Sequence, residues 1–175
     1  MTLTQRLARL RVPLGFVFGA LCLGLARPTP PLLAAGGAIA VLGEAVRFWA
    51  AGHLEKGREV TSSGPYRWTR HPLYVGSSLM GVGLAVASAR PEVAFLVALY
   101  LGTTLTAAIQ SEERFLSERF PDAYLLYREG RHVESTRRFS WARAMRNREW
   151  RAATGLVAVL LLLAWKAWTL AGQAG

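Results

Sequence analysis

The stretch 64–88, GPYRWTRHPLYVGSSLMGVGLAVAS, passes within a few residues from a basic, aromatic segment into an almost unbroken apolar run. Its hinge is Arg70-His71-Pro72-Leu73-Tyr74, which sets a cation, an imidazole, a proline and a phenol at the edge of that run. Proline at the first position of a helix wastes no hydrogen bond, because the amide it lacks would have had no intrahelical partner. The pattern therefore predicts a helix that opens at His71-Pro72 and is apolar on all its faces, as a helix in a membrane is.

Four further segments resemble it, so that the chain reads as five apolar runs: Val12 to Ala26, Pro31 to Ala50, Leu73 to Ser88, Pro91 to Gln110 and Thr154 to Leu170. A perpendicular helix needs roughly 20 residues to cross a hydrocarbon core of about 30 Å, so the shorter runs recruit flanking residues or cross a thinned region. The links Arg27-Pro28-Thr29-Pro30 and Ala89-Arg90-Pro91 are long enough only for tight hairpins, which pairs the first run with the second and the third with the fourth. The fold class is all-α, a single membrane-embedded domain over 1–175 with about five transmembrane helices and an interfacial helix.

Composition agrees. The 175 residues are 52% apolar, and 21 Lys and Arg stand against 11 Asp and Glu. A pI near 11.0 on a soluble module would suggest nucleic acid. Here the basic residues lie in blocks between apolar runs, so the partner they imply is a lipid bilayer and not nucleic acid. The single cysteine, Cys22, falls inside the first apolar run and forms no intramolecular disulfide. Arg6, Arg9 and Arg11 before that run resemble a secretory signal, but Leu25-Ala26-Arg27-Pro28 offers no small-x-small cleavage site, and an uncleaved anchor is expected.

Basic residues also set the orientation. Three precede the first run, four lie between Ala51 and Pro72, and ten lie between Ser111 and Arg151, whereas the hairpin tips carry only Arg27 and Arg90. The positive-inside rule then places the N-terminus and both long links in the cytoplasm, of the inner membrane if the protein is bacterial.

Two blocks of polar residues lie on that side. The first is Gly64-Pro65-Tyr66 with Arg70 to Gly76; the second is Glu112-Glu113 with Leu116, Phe120, Tyr124 and Tyr127. Together with Arg47 to Lys56 they resemble the superfamily of isoprenylcysteine carboxyl methyltransferases and phospholipid N-methyltransferases, small integral membrane enzymes that use S-adenosylmethionine. The resemblance covers roughly residues 47–128 and not the tail, where Gly130 to Phe139 departs from the Val-Pro-like continuation common in that superfamily. It implies cofactor binding by Tyr66, His71, Pro72, Leu73, Tyr74, Gly81, Gly83, Glu112 and Glu113, and catalytic roles for Arg70, His71 and Glu113. Gly81-Val82-Gly83 matches the Gly-x-Gly that helps hold the cofactor in the phospholipid branch.

Elementary chemistry gives several of these residues a task. The amides of Leu73, Tyr74 and Val75 at the start of a helix are expected to lack intrahelical partners and so to suit the carboxylate of an amino-acid cofactor, with Arg70 adding charge. Glu112 or Glu113 can accept bonds from ribose hydroxyls or an α-ammonium, and only one of them need point inward because helical neighbours diverge by about 100°. Phe115 to Tyr127 suggests an amphipathic interfacial helix, and Ser77, Gly81 and Ala85 form a small-residue face. Glu44 and Arg47, one turn apart, suggest a structural bridge or, alternatively, a border of the active site. His53 and His132 stand apart from other ligands, and no metal site is expected.

The expected reaction is methyl transfer from S-adenosylmethionine to an apolar or amphipathic acceptor that enters from the lipid. A thiolate or carboxylate acceptor needs no general base; an ammonium does, and Glu112, Glu113 or His71 could supply it. The alternatives are an NADPH-dependent membrane reductase of related architecture and a non-catalytic scaffold or transporter.

Overall fold

The structure, a computed structural model, describes residue 15 and residues 17–131 and 135–173. The arginines at 6, 9 and 11, the start of the first apolar run, and His132 lie outside the described residues. All regular structure among the described residues is helical: α1 (17–25), α2 (Pro30–His53), α3 (Pro72–Ser88), α4 (Pro91–Arg119), α5 (Pro121–Arg128), α6 (Trp141–Arg146) and α7 (Trp150–Gly172), with a 3-10 turn at Gly64–Arg67. Four of these helices open on proline, at Pro30, Pro72, Pro91 and Pro121, where the missing amide costs nothing.

Three helices, α2, α4 and α7, are long and apolar enough to cross a membrane. At 17 residues, α3 reaches about 26 Å and falls short of a full hydrocarbon core without its flanks. It is held against α2 by glycine. A Cβ on Gly43 would stand 2.6 Å from the Gly76 carbonyl oxygen and from the Met80 nitrogen, and Gly36 and Gly83 meet in the same way further along. Bare backbone on both helices lets them approach closely enough for dispersion to hold them where lipid removes the hydrophobic drive. The face that performs this is Gly76 and Gly83, not the expected Ser77, Gly81 and Ala85. Gly81 instead receives the Leu101 side chain of α4.

The α3–α4 hairpin is as tight as expected, Ala89 turning the chain in the left-handed region with φ 54°. Beyond it the expectation needs correction. Glu112 and Glu113 do not follow a helix but lie inside α4, which continues unbroken to Arg119 because nothing between Gln110 and Arg119 terminates it. Pro121 does, and the expected long interfacial helix becomes the separate eight-residue α5.

Residues 135–149 strap the end of α2. Asn147 donates to the carbonyls of Ala51 and Leu54 (2.8 and 2.9 Å), the Ser140 amide and the Arg143 guanidinium donate to Gly52 (3.1 and 2.6 Å), and Arg137 donates to His53 (3.4 Å). Carbonyls that a helix end leaves without intrahelical donors are thus satisfied by the tail. The same arginines pair with the following link, Arg143 with Glu55 at 2.8 Å and Arg137 with Glu59.

Candidate functional site

The link from Leu54 to His71 begins at the strapped end of α2 and delivers its last residues to α3. His71 is the residue before the first turn, and Pro72 beneath it is fully buried. The register of α4 then brings its acidic pair to the same place. His71 Nε2 lies 3.3 Å from Glu113 Oε1, and Nδ1 lies 3.6 Å from Glu112 Oε2. The Arg70 guanidinium is 3.3 Å from the same Glu113 oxygen. Both glutamates therefore face the imidazole, one on each ring nitrogen, where the sequence reading needed only one. The ring stacks on Tyr74 at 5.6 Å between centroids.

Nearby charge shifts the titration of this imidazole. The Glu112 carboxylate, seconded by Glu113, raises the His71 pKa above its ordinary value against the opposing effect of burial. Tyr66 closes the site from below. It is buried, its carbonyl accepts a 2.7 Å hydrogen bond from the Tyr127 hydroxyl, and burial together with the Glu112 charge pushes its own phenol well above the ordinary range. Burial raises Tyr127 to about 12, so both phenols stay protonated donors. The Tyr124 hydroxyl is buried beside Glu113 but beyond hydrogen-bond geometry, and His71 Nδ1 is likewise buried without a hydrogen bond.

The expected free amides are fewer than three. Those of Tyr74 and Val75 both turn back onto the His71 carbonyl, at 3.0 and 3.1 Å. The anion-binding capacity of the helix start therefore falls mainly to the Arg70 side chain. The Leu73 carbonyl is occupied from the other side by Ser77 at 2.9 Å. Gly81 and Gly83 stand about 15 Å or more along α3 from His71, where Gly81 packs on α4 and Gly83 on α2. Arg70, His71, Tyr66, Tyr74, Glu112 and Glu113 converge; the two glycines do not join them.

From His71, Thr69 and Tyr74 a groove of about 990 Å³ descends between α3 and α4 past Val82, Leu101 and Leu105. It is polar at the histidine end, mainly apolar along its length, and reaches Arg90 at the hairpin.

A second ionic cluster sits beside the first. The expected Glu44–Arg47 bridge is present at 3.6 Å, but Arg47 is bound more closely by Glu149, at 2.6 Å, and also donates to Ser77. Glu149 was not singled out in the sequence. Its signal was there, as the lone acid in the arginine-rich run 146–151. His53 has the structural role expected of an isolated histidine, its Nδ1 lying 3.1 Å from the Ser63 hydroxyl. Among the described residues no three His, Cys, Asp or Glu side chains gather as a metal site would require.

Comparison with known proteins supplies the family. The family model described as phospholipid methyltransferase matches residues 31–123, just over half of the chain and all of the site's acidic and basic residues. The cobalt-zinc-cadmium resistance protein CzcN of Cupriavidus metallidurans is 33% identical over 125 residues, which is 67% of this chain and 58% of that protein. The nickel-cobalt-cadmium resistance protein NccN of Alcaligenes xylosoxydans xylosoxydans is 36% identical over 78 residues, 43% of this chain and 37% of that protein. The chain thus matches little more than half the length of the first and less of the second. No solved structure matches it significantly. The chain belongs to the phospholipid methyltransferase family, a family of membrane methyltransferases.

Proposed function

We propose that this family member transfers a methyl group from S-adenosylmethionine to an apolar or amphipathic acceptor at the cytoplasmic edge of the membrane, acting as a single domain. The observation that carries the reading is the joining of two unlike environments at His71. On one side lie paired charges and buried polar atoms without a hydrogen bond; on the other lies an apolar groove between membrane helices.

The residues fit such a cofactor. An amino-acid ligand with a carboxylate, an ammonium and ribose hydroxyls needs a cation, carboxylates and neutral donors within a few ångströms of one another, and Arg70, Glu112, Glu113 and the phenols of Tyr66 and Tyr124 would provide them. When bound, the cofactor would supply a sulfonium methyl: the acceptor's lone pair forms the new bond to carbon while the carbon–sulfur pair returns to sulfur. The protein's contribution is then position and the exclusion of water. The groove would align an apolar acceptor so that its nucleophilic end meets the site at His71. The two carboxylates against it favour the protonated imidazole, which would then act as a donor or an orienting cation more readily than as a base. A thiolate or carboxylate acceptor suits that state better than an ammonium, which must first lose a proton.

The names of the two relatives associate those proteins with metal resistance, which identifies no methyl acceptor. The rival classes, an NADPH-dependent reductase and a non-catalytic scaffold, are separated by one experiment. Calorimetric titration of the purified full chain with S-adenosylhomocysteine and, separately, with NADPH is expected to show saturable binding of the first alone. Binding of NADPH, or of neither, rejects the reading.

A further inference from the structure

We propose that the corner between α6 and α7 is a binding site for the phosphate of an anionic glycerophospholipid, in the leaflet that meets this end of the bundle. The arginines of the strap divide into two sets. Arg137, Arg143 and Arg146 face the protein and pair with Glu59 or Glu55. Arg138, Arg148 and Arg151 are exposed and form no ion pair with a described residue. The unpaired set stands beside two exposed tryptophans, Trp141 and Trp150, which are 68% and 48% exposed, and the Arg151 guanidinium lies over the Trp150 ring at 5.4 Å. Because α7 begins at Trp150 and is long and apolar enough to cross a membrane, the corner sits at headgroup depth. Indoles flanked by arginines are the chemistry of that layer.

Backbone geometry supplies an independent argument. The chain turns from α6 into α7 with the Arg148 amide bonded to the Met145 carbonyl at 2.9 Å and the Glu149 amide bonded to the Ala144 carbonyl at 3.2 Å. That is the Schellman termination, whose left-handed residue is usually glycine. Here it is Arg148, at φ 61°, where a Cβ is unfavourable. Its neighbours face inward, Asn147 onto the end of α2 and Glu149 onto Arg47, so the fold uses both and leaves Arg148 pointing out. A side chain that strains the turn and contacts no acid contributes nothing to the fold that glycine would not. Its charge, with that of Arg151 in the first turn of α7 and that of Arg138 ahead of α6, matches a lipid phosphate.

The test uses the full chain in neutral detergent, with phosphatidylglycerol and phosphatidylcholine of identical acyl chains competing for it and retention read by native mass spectrometry. An arginine near an anionic surface contributes about fivefold, so the parent should prefer phosphatidylglycerol by on the order of a hundredfold at low salt, less as salt is raised. The variant R138Q/R148Q/R151Q should fall to near parity. R148G should lose about fivefold of the preference while its lipid-free Tm stays level or rises by roughly 2–4 °C, a combination that a purely structural role cannot give. Equal retention of both lipids by the parent, or an unchanged preference in the triple variant, overturns the proposal. A Tm gain from inorganic phosphate as large as that from phosphatidylglycerol does so too, since the site would then be one for free anions.

Discussion

Replacing Glu112 and Glu113 one at a time separates two tasks that the structure distributes between them. Glu113 is already engaged, 3.3 Å from both Arg70 and His71, whereas Glu112 stands 3.6 Å from His71 and has no hydrogen bond to it. The freer carboxylate is the better acceptor for a ligand's hydroxyls. A hydrogen bond to a charged group contributes about 1.5–3 kcal/mol. With the Glu112 side chain 34% exposed, solvent screening favours the lower end. Glu112→Gln should therefore weaken S-adenosylhomocysteine binding by roughly tenfold in calorimetry. Glu113→Gln instead frees Arg70 and removes one of the two carboxylates from His71. Its affinity loss should grow as pH rises, because the less supported imidazole loses its proton sooner. Arg128→Gln, at an exposed position of α5, serves as the control and should leave affinity unchanged. If both glutamate variants bind as tightly as the parent across pH, the acidic pair does not serve the cofactor, and the site reduces to Arg70 to Tyr74.

Stability should also follow His71. Its folded pKa is raised above the unfolded value of about 6.5, so the stabilisation is fully present below that value and is lost as pH rises through the folded pKa; Tm measured in detergent should decline over that window, and His71→Gln should flatten the decline. Gly83→Leu forces a side chain into the backbone of α2 and should lower stability by about 1–3 kcal/mol, read as a fall in Tm with α2 and α3 still helical by circular dichroism; an unchanged Tm would mean the two helices are not apposed there. Glu149→Gln removes the closest acid from Arg47, with the Glu149 side chain 6% exposed, and should cost about 3–5 kcal/mol; a variant as stable as the parent would show that Glu44 alone suffices.

Much of this was legible in the sequence because the membrane simplifies the code. Each apolar run has to be a helix, since no other open segment satisfies its own backbone in lipid, and proline marks three of the starts. The resemblance led to the expectation that Glu112 or Glu113 meets His71 at one pocket; that both carboxylates reach the ring is visible only in the packing. The continuation of α4 through the acidic pair was not foreseen. Polarity was taken to end the helix, but polarity ends only its passage through lipid, and a helix stops where the backbone must, here at Phe120-Pro121. The glycine contacts were misassigned for a related reason. Spacing identifies a small-residue face but not the helix it meets, and only the packing shows that Gly76 and Gly83 meet α2 while Gly81 receives Leu101.

The tail explains why so specific a site can be built on a link without regular structure. Leu54 to His71 has one 3-10 turn, and a free link of that length would leave Tyr66 and His71 mobile. Its two ends are fixed by different means. At the start, the carbonyls of α2 accept from Asn147, Ser140, Arg143 and Arg137, and Glu55 and Glu59 are held by the same arginines. At the far end, the Tyr127 hydroxyl holds the Tyr66 carbonyl and the acidic pair of α4 holds His71. The residues that anchor the start lie beyond residue 123, where the family match ends. A strap outside the matched region therefore orders a loop inside it.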